Sequence, residues 1–311
     1  MSSFIILADL TCDLSKEIRE GFGVKDYIRG HISFDGRDLP TTLDWETLSR
    51  NEFYSALSDK KKEISTAPAS PEEYYEIFKR YASEGHDLLS MSISSKISST
   101  FNVAKAAADR VAAEFPERRI YCFDSLRMSG AFGLLVAYAH QMQAHGSTMD
   151  EVVSWLEENK SRVHQMGPID DLMFVARRGR ISKGKAIMGS FAGVKPMGDC
   201  NSDGYVTVLS KAKGIKKALA ATAEYLKLCA EDIENNYVFI MHSDREAYAY
   251  TLKREIESRM SPKGIFVSDV FCGSGTNVGP GMIGVYFLGA PVSEECAAEK
   301  EMLISALDSV K

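Results

Sequence analysis

Short apolar runs alternate with longer amphipathic segments through the first half of the chain. The runs with the length and polar ends of strands are "FIILADL" (4–10), "DLLSMSIS" (87–94) and "RIYCFDS" (119–125). The segments with helical periodicity or capping signals are "SPEEYYEIFKRYASEG" (70–85), "SSTFNVAKAAADRVAAEF" (98–115) and "SGAFGLLVAYAHQMQAHG" (129–146). Strands that alternate with helices in this way predict a parallel sheet with helices packed on it.

The pattern changes after a further helical segment, "TMDEVVSWLEENK" (148–160). Beyond it, the strand-like runs are "GYVTVLSKA" (204–212), "YVFIMHS" (237–243), "GIFVSDVFC" (264–272) and "GMIGVYFLG" (281–289). The helical segments there are "GIKKALAATAEYLKLCAE" (214–231) and "AYTLKREIESR" (249–259). We therefore predict an α/β protein of two domains. Residues 1–160 form a parallel sheet with flanking helices, and residues 161–311 form a mixed α/β domain.

Composition and charge exclude several classes of function. Of the 311 residues, 45% are hydrophobic, and no segment reaches the ~18 uninterrupted apolar residues of a membrane span. The net charge of −6 argues against a nucleic-acid binder. The six cysteines are scattered without C-x-x-C, and H-E-x-x-H is absent, so we expect reduced thiols and no metal site. The start of the chain lacks the pattern of a secretion signal, which predicts a cytoplasmic location.

Basic residues cluster between Arg177 and Lys217, although the chain as a whole is acidic. Such a cluster is often only a solvated face of the protein. It also fits a docking surface for an acidic or phosphate-bearing partner, and the charge pattern leaves both interpretations open.

Hydroxyl side chains crowd the junction between the second predicted strand and the helix that follows. Ser94, Ser95 and Ser98 belong to the stretch "SMSISSKISSTFNVAKAA" (90–107). One serine is enough to cap a helix, whereas a group of hydroxyls at a helix N-terminus suits an anion. A serine nucleophile is a third interpretation, but it needs a base, and the chain has no G-x-S-x-G elbow. Small residues that permit close packing are a fourth, so these residues do not decide the matter.

The glycine-rich stretch "GSGTNVGPG" (273–281) does not match the phosphate-binding patterns G-x-G-x-x-G or G-x-x-x-x-G-K-[ST]. It lies late in the chain, between two strand-like runs, and we expect no helix after it. Its glycines are expected to permit a tight bend or a close approach of the backbone to a ligand. Dinucleotide and ATP binding are therefore not predicted.

Several motifs taken together resemble the DegV family of bacterial fatty-acid-binding proteins, which includes the lipid-carrying subunits of fatty acid kinases. The motifs are "ADLTCDL" (8–14), "TAPASPEEY" (66–74), "SSKISSTFNVA" (94–104), "FDSLRMSG" (123–130), "RRGRISK" (177–183), "KAKGIKKA" (211–218) and "NVGPGMIG" (277–284). They follow the family's order and cover nearly the full length of the chain.

The resemblance implies a lipid-binding protein that is not an enzyme by itself and needs no cofactor. Its ligand would be one long-chain, palmitate-like fatty acid buried between the two domains, with the carboxylate innermost. The family's threonine and serine fall on Thr66 and Ser98, with Ser94 and Ser95 just upstream. Asn277 stands where the family has a histidine; its amide can donate a hydrogen bond but carries no charge.

In kinase systems of this family, a separate subunit phosphorylates the bound carboxylate. The resemblance therefore also implies a kinase subunit as a partner, with Arg177, Arg180 and Lys213 as candidates for its docking face. Lys213 replaces a family arginine and loses the bidentate geometry of a guanidinium. Two alternatives stay open: a Ser-dependent lipid hydrolase, and a protein-interaction module whose pocket is vestigial.

Overall fold

The computed structural model describes residues 4–59, 61–181 and 193–310. The strands are β1 (Phe4–Asp9), β2 (Tyr27–Ile28), β3 (His31–Phe34), β4 (Arg37–Pro40), β5 (Ile64–Ala67), β6 (Asp87–Ser92), β7 (Ile120–Asp124), β8 (Val163–Pro168), β9 (Val194–Cys200), β10 (Val206–Lys213), β11 (Tyr237–His242), β12 (Gly264–Asp269) and β13 (Ile283–Leu288). The helices are α1 (Lys16–Phe22), α2 (Arg50–Ser58), α3 (Pro71–Ser83), α4 (Thr100–Glu114), α5 (Ser129–Ala144), α6 (Met149–Asn159), α7 (Leu172–Arg177), α8 (Ile215–Cys229), α9 (Glu246–Glu257), α10 (Cys272–Val278) and α11 (Ala297–Ser309).

The first half of the chain forms the predicted parallel sheet. Its four strands lie in the order β2-β1-β6-β7, and every neighbouring pair is parallel. Alternate residues of a strand point to opposite faces, so Leu7 and Leu88 pack against α3 and α4 while Ile6 and Leu89 face the other side. The carboxyl end of β6 leads into the loop that carries Ser94, Ser95 and Ser98.

The second half forms a six-stranded mixed sheet in the order β10-β9-β8-β13-β11-β12. Among the neighbouring strands that the structure describes in this sheet, β11 and β12 pair in parallel and the others are antiparallel. The predicted fold class, a parallel sheet followed by a mixed α/β region, is confirmed.

Helix α5 lies between the two sheets and is buried on all sides from Ser129 to His140. A helix that is apolar all round must be enclosed, and α5 shares one core with residues of both halves, including Phe123, Phe239 and Tyr286. Strands up to 124 belong to the first sheets and strands from 163 onward to the mixed sheet. The division into domains at residue 160 stays a prediction, since α5 contributes to the packing of both sides.

A small antiparallel sheet, β4-β3-β5, was not predicted. Its β3–β4 hairpin turns at Asp35-Gly36, where both residues have positive φ (54° and 76°). An Asp-Gly pair between two short strands is a strong hairpin signal, so the sequence "HISFDGRDLP" did contain the information. The third strand, β5, carries Thr66.

Two local expectations need correction. The glycine-rich stretch is not a bend throughout, because Gly273 and Gly275 lie in helix α10, and the bend is confined to Gly279–Gly281, where both glycines have positive φ. Strand β6 ends at Ser92, and α4 begins at Thr100, two residues later than expected from the hydroxyl-rich stretch. Within the described ranges, no helix is long and apolar enough to cross a membrane.

Candidate functional site

A cavity of about 270 Å³ lies where the carboxyl end of β1, strand β5 and the N-termini of α4 and α5 meet helix α10. Its volume is close to the lower end of the range for small-molecule sites. The polar side chains on its wall are those of Asp9, Thr11, Arg29, His31, Thr41, Thr66, Tyr74, Ser98, Ser99, Thr100, Ser129, Arg180, Ser274 and Asn277. Both halves of the chain therefore contribute to one site.

The N-terminus of α4 supplies the densest group of hydroxyls. The Ser98 and Thr100 hydroxyl oxygens share a hydrogen bond of 2.7 Å, and Ser98 Oγ also accepts from the Thr100 backbone N–H at 3.3 Å. Ser99, the N-cap residue, makes no side-chain cap. The first turn of a helix has unpaired N–H groups and a partial positive charge, so this end of the cavity suits an anionic group.

Thr66 approaches the cavity from the small antiparallel sheet. It lies on β5 opposite Ile32 of β3, while the neighbouring Ser65 points to the exposed face. Thr66 and Ser98 therefore line the same cavity from two different elements. The motifs that contain them, "TAPASPEEY" and "SSKISSTFNVA", do not by themselves indicate that they meet.

Two buried carboxyl groups lie at or beside the cavity. Asp9 accepts hydrogen bonds from the backbone N–H groups of Thr11 (2.9 Å) and Ile93 (2.8 Å), yet burial raises its pKa overall. Burial also raises the pKa of Asp13 to about 7, although the Ser129 and Ser274 hydroxyls and the Phe271 N–H oppose that shift. A protonated carboxyl adds no negative charge, so the raised pKa values reduce repulsion of an anionic ligand.

Positive charge at the cavity comes from Arg29 and Arg180, and His31 also lines it. The His31 Nε2 atom lies 2.9 Å from Oε2 of Glu73, the carboxylate that completes the capping box of α3. Arg180, predicted as part of a docking face, lines the cavity. Arg177 is exposed, 3.8 Å from the Asp171 carboxylate.

Lys213 lies at the end of β10 and is exposed. Lys183 and Lys185, which also belong to the basic cluster, lie outside the described residues. Of the three predicted docking residues, Arg180 therefore lines the cavity, whereas Arg177 and Lys213 lie on the surface.

A second, smaller cavity of about 70 Å³ adjoins the first between α5 and the mixed sheet. Its apolar lining residues are Met128, Ile169, Met166, Val175, Pro196, Met197, Val206, Val208, Val278, Met282 and Ile283. The two cavities share Met128, Ser129, Val175, Val206 and Val278. The first cavity is rich in hydroxyl groups and the adjoining one is mainly apolar, and we call the smaller cavity the tail slot.

The structure brings together Thr66, Ser98 and Asn277 on one cavity wall. Asn277 lies in α10, and its side-chain amide donates to the Gly273 carbonyl at 3.3 Å. Ser94 and Ser95 are not among the lining residues. The Ser94 hydroxyl donates to the Gly204 carbonyl at 3.0 Å, so it joins the two halves of the chain instead.

The sequence analysis did not single out several of the residues that line the cavity. Thr11, Ser129 and Ser274 each lie within or beside a stretch singled out in the sequence, "ADLTCDL", "FDSLRMSG" and "GSGTNVGPG". The polar residues inside those stretches were the available signal. Tyr74, whose pKa burial raises well above the usual value, gave no such signal because it looks like any helix core residue.

Comparison with known proteins supports one family. A family model described as "Uncharacterised protein, DegV family" matches residues 3–290. A DegV domain-containing protein of Clostridium perfringens is 31% identical over 289 residues, covering 93% of this chain and 98% of the relative. A Thermus thermophilus structure, described as showing fatty acid binding of a DegV family protein, has a TM-score of 0.82 and 24% identity, covering 93% of this chain and 100% of that one. A DegV family structure from Ruminococcus gnavus with vaccenic acid has a TM-score of 0.82 and 21% identity, covering 92% and 100%. This chain belongs to the DegV family.

Proposed function

We propose that this protein binds one long-chain fatty acid, with the carboxylate at Thr66 and Ser98 and the acyl chain in the tail slot. The observation that carries the proposal is that the two cavities adjoin each other and share five lining residues. A hydroxyl-rich head beside a helix N-terminus and an apolar slot behind it match the two ends of a fatty acid. The fatty acids described for the Thermus and Ruminococcus proteins support the same ligand class.

The two ends of the site contribute unequally to affinity. Burying a palmitate-like chain at ~0.8 kcal/mol per CH₂ gives a gross gain of roughly 11 kcal/mol. A hydrogen bond to a charged head group adds about 1.5–3 kcal/mol. The tail therefore determines most of the affinity, and the head group determines the orientation.

Calorimetric titration of the delipidated protein with hexadecanoate and octadecanoate tests this proposal. We expect about one ligand per chain, and Thr66→Val or Ser98→Ala should each cost about 1–3 kcal/mol of binding free energy. Ser65→Ala, on the exposed face of the same strand, is the matched control and should bind as the unmodified protein does. If neither fatty acid gave a heat of binding, the proposal would be contradicted.

The geometry does not favour a Ser-dependent hydrolase. The Ser98 hydroxyl is paired with Thr100, and the cavity histidine, His31, is paired with Glu73. A nucleophilic serine needs a base within hydrogen-bonding reach. Release of p-nitrophenol from p-nitrophenyl palmitate that disappears in Ser98→Ala would establish the hydrolase instead.

Presentation of the bound acid to a separate kinase subunit is a further part of the proposal, drawn from the family resemblance. Arg177 and Lys213 are exposed and stay candidates for a docking face. Reversing both charges should leave fatty acid binding intact and remove binding of the kinase subunit. The alternative of an interaction module with a vestigial pocket gains no support from two adjoining cavities of this kind.

A further inference from the structure

The tail slot contains polar groups that a plain acyl chain would leave without partners. Ser129 lines both cavities and is only 4% exposed; its Oγ lies near the Asp13 carboxyl and the Tyr286 phenol but makes no hydrogen bond of good geometry within the described residues. Gln165 also lines the tail slot, and its Oε1 is buried and likewise unpaired within the described part of the chain. Buried polar atoms are normally hydrogen-bonded, so two such atoms in one narrow slot require an explanation.

Tyr286 brings these two groups into the same part of the slot. It lies directly opposite Gln165 in the β13–β8 ladder, and the side chains of such a pair share one face of the sheet. Its ring packs against Gly130, where an added Cβ would come within 2.4 Å of it, so the ring lies beside the start of α5. The Ser129 hydroxyl lies close enough to Tyr286 to lower the pKa of the phenol, although burial raises it overall.

The backbone at Ser129 is also unusual. Its φ of 49° lies in the left-handed region, which non-glycine residues rarely adopt, and it is the first residue of α5. Its N-cap residue, Met128, makes no side-chain cap among the residues that the structure describes. The strained serine thus holds a hydroxyl at a helix N-terminus that opens onto both cavities. Strained residues of this kind cluster at ligand-binding and active sites.

We infer that the tail slot takes a long-chain fatty acid with a hydroxyl group along its chain. A ligand hydroxyl can donate to Gln165 Oε1, which only accepts, and can accept from Ser129 Oγ. A saturated chain can do neither, and an oxo group cannot donate. This inference rests on the proposed function and names the ligand class of the same site more closely.

The test compares octadecanoic acid with 9-, 10- and 12-hydroxyoctadecanoic acids by calorimetric titration of the delipidated protein. The three isomers sample different depths of the slot. We expect at least one of them to bind about tenfold or more tightly than octadecanoic acid, because it satisfies both buried groups. If none binds more tightly, the inference is overturned, and the two groups bind water or serve packing.

Two variants locate the effect. Ser129→Gly removes the hydroxyl and is compatible with positive φ, so it should fold; Gln165→Leu removes the acceptor. Each should reduce the preference for the hydroxy acid severalfold while octadecanoic acid still binds. Ser202→Gly, on an exposed turn, is the matched serine control and should keep the preference.

If both variants still preferred the hydroxy acid to octadecanoic acid, the ligand hydroxyl would bind elsewhere in the site, and the inference would be overturned. Failure of the proposed function looks different, because octadecanoic acid itself would then not bind to the unmodified protein.

Discussion

Two neighbouring residues of β8, His164 and Gln165, have opposite environments. His164 faces the side covered by α8, where its Nδ1 lies 2.9 Å from Asp199 and its Nε2 lies 2.8 Å from the Ala290 carbonyl. Gln165 faces the cavity, and its Oε1 has no partner among the described residues. Since alternate residues of a strand point to opposite faces, one strand separates a satisfied polar network from an unsatisfied polar surface.

The satisfied side is a closed unit. The Asp199 carboxylate accepts from the Tyr225 hydroxyl at 3.0 Å and from the backbone N–H groups of Gln165 (2.8 Å) and Cys200 (2.6 Å). Burial, the largest single influence, lowers the pKa of His164, but the charge and hydrogen bond of Asp199, the Ala290 carbonyl and the Glu299 charge together outweigh it, so the pKa is raised. A network with every group paired fixes the structure, whereas unpaired groups beside a cavity are available to a ligand.

Breaking the satisfied network should have the largest effect. Asp199→Ala leaves a buried His164 without its carboxylate and should reduce the free energy of unfolding by about 3–5 kcal/mol. Urea titration followed by circular dichroism measures the change. Asp203→Ala, on the adjacent exposed turn, is the control and should change stability by less than about 0.5 kcal/mol. Equal stability of both variants would mean that the network contributes nothing.

The next largest effect concerns Asp13, whose Oδ2 is buried and makes no hydrogen bond of good geometry within the described residues, although the Ser129 and Ser274 hydroxyls lie near the carboxyl. Its pKa is about 7 in the folded protein and 3.8 in the ordinary case, so the folded state retains a proton that the unfolded state loses. Stability therefore falls as pH rises between these values.

Asp13→Asn keeps the shape and removes the charge. It should be more stable than the unmodified protein by a few kcal/mol at about pH 8, and equally stable at about pH 4. Urea titrations at several pH values provide the measurement. A difference that does not change with pH would show that Asp13 does not titrate in this range.

On the cavity side, the largest effects on binding are the head-group substitutions given above, Thr66→Val and Ser98→Ala. Ser94→Ala sharpens the comparison, because Ser94 bonds Gly204 and does not line the cavity. It should lower stability by about 1 kcal/mol and leave the affinity for hexadecanoate unchanged. Titration calorimetry beside urea unfolding separates the two quantities. A loss of affinity as large as that of Ser98→Ala would place Ser94 in the head-group site.

The smallest expected effect distinguishes Arg180 from Arg177. Arg180→Gln should weaken hexadecanoate binding by about 1 kcal/mol, since a half-exposed cation is screened by solvent, and should leave hexadecanol binding unchanged. Arg177→Gln should alter neither. Competition with a fluorescent fatty acid measures both ligands. Equal affinities of the two variants for hexadecanoate would show that Arg180 contributes no more to binding than the exposed Arg177.

The sequence predicted regular elements well and side-chain placement poorly. Strands β1, β6 and β7 and helices α3 to α5 follow from periodicity and caps, because burial on one or both faces leaves a pattern. Helix α10 was missed because its glycines disfavour a helix. Packing overrides that propensity: at Gly275 an added Cβ would lie 2.8 Å from the Phe53 ring.

The candidate site was partly predictable for a related reason. The motifs pointed to Thr66, Ser98 and Asn277, and these residues meet at the cavity. Which serine of a loop faces a cavity depends on tertiary contacts, and these direct Ser94 toward the β9–β10 turn. The position of Arg180 depends on how the segment after α7 returns to the cavity, and charge patterning contains no such information.

Helix α5 has a consequence for how the chain could be divided. Because both sheets cover it, a fragment that ends at residue 160 would present the side of α5 that Phe239, Met241 and Tyr286 normally cover. The complementary fragment would present those three side chains to water. Each fragment would therefore expose an apolar surface at the boundary between the two halves, and this surface would associate with copies of the same fragment or with the other half. Coexpressed fragments should therefore reassemble, whereas either fragment alone should aggregate. Recombination that replaced one half by that of another protein would have to preserve the side chains that contact α5 from both sides.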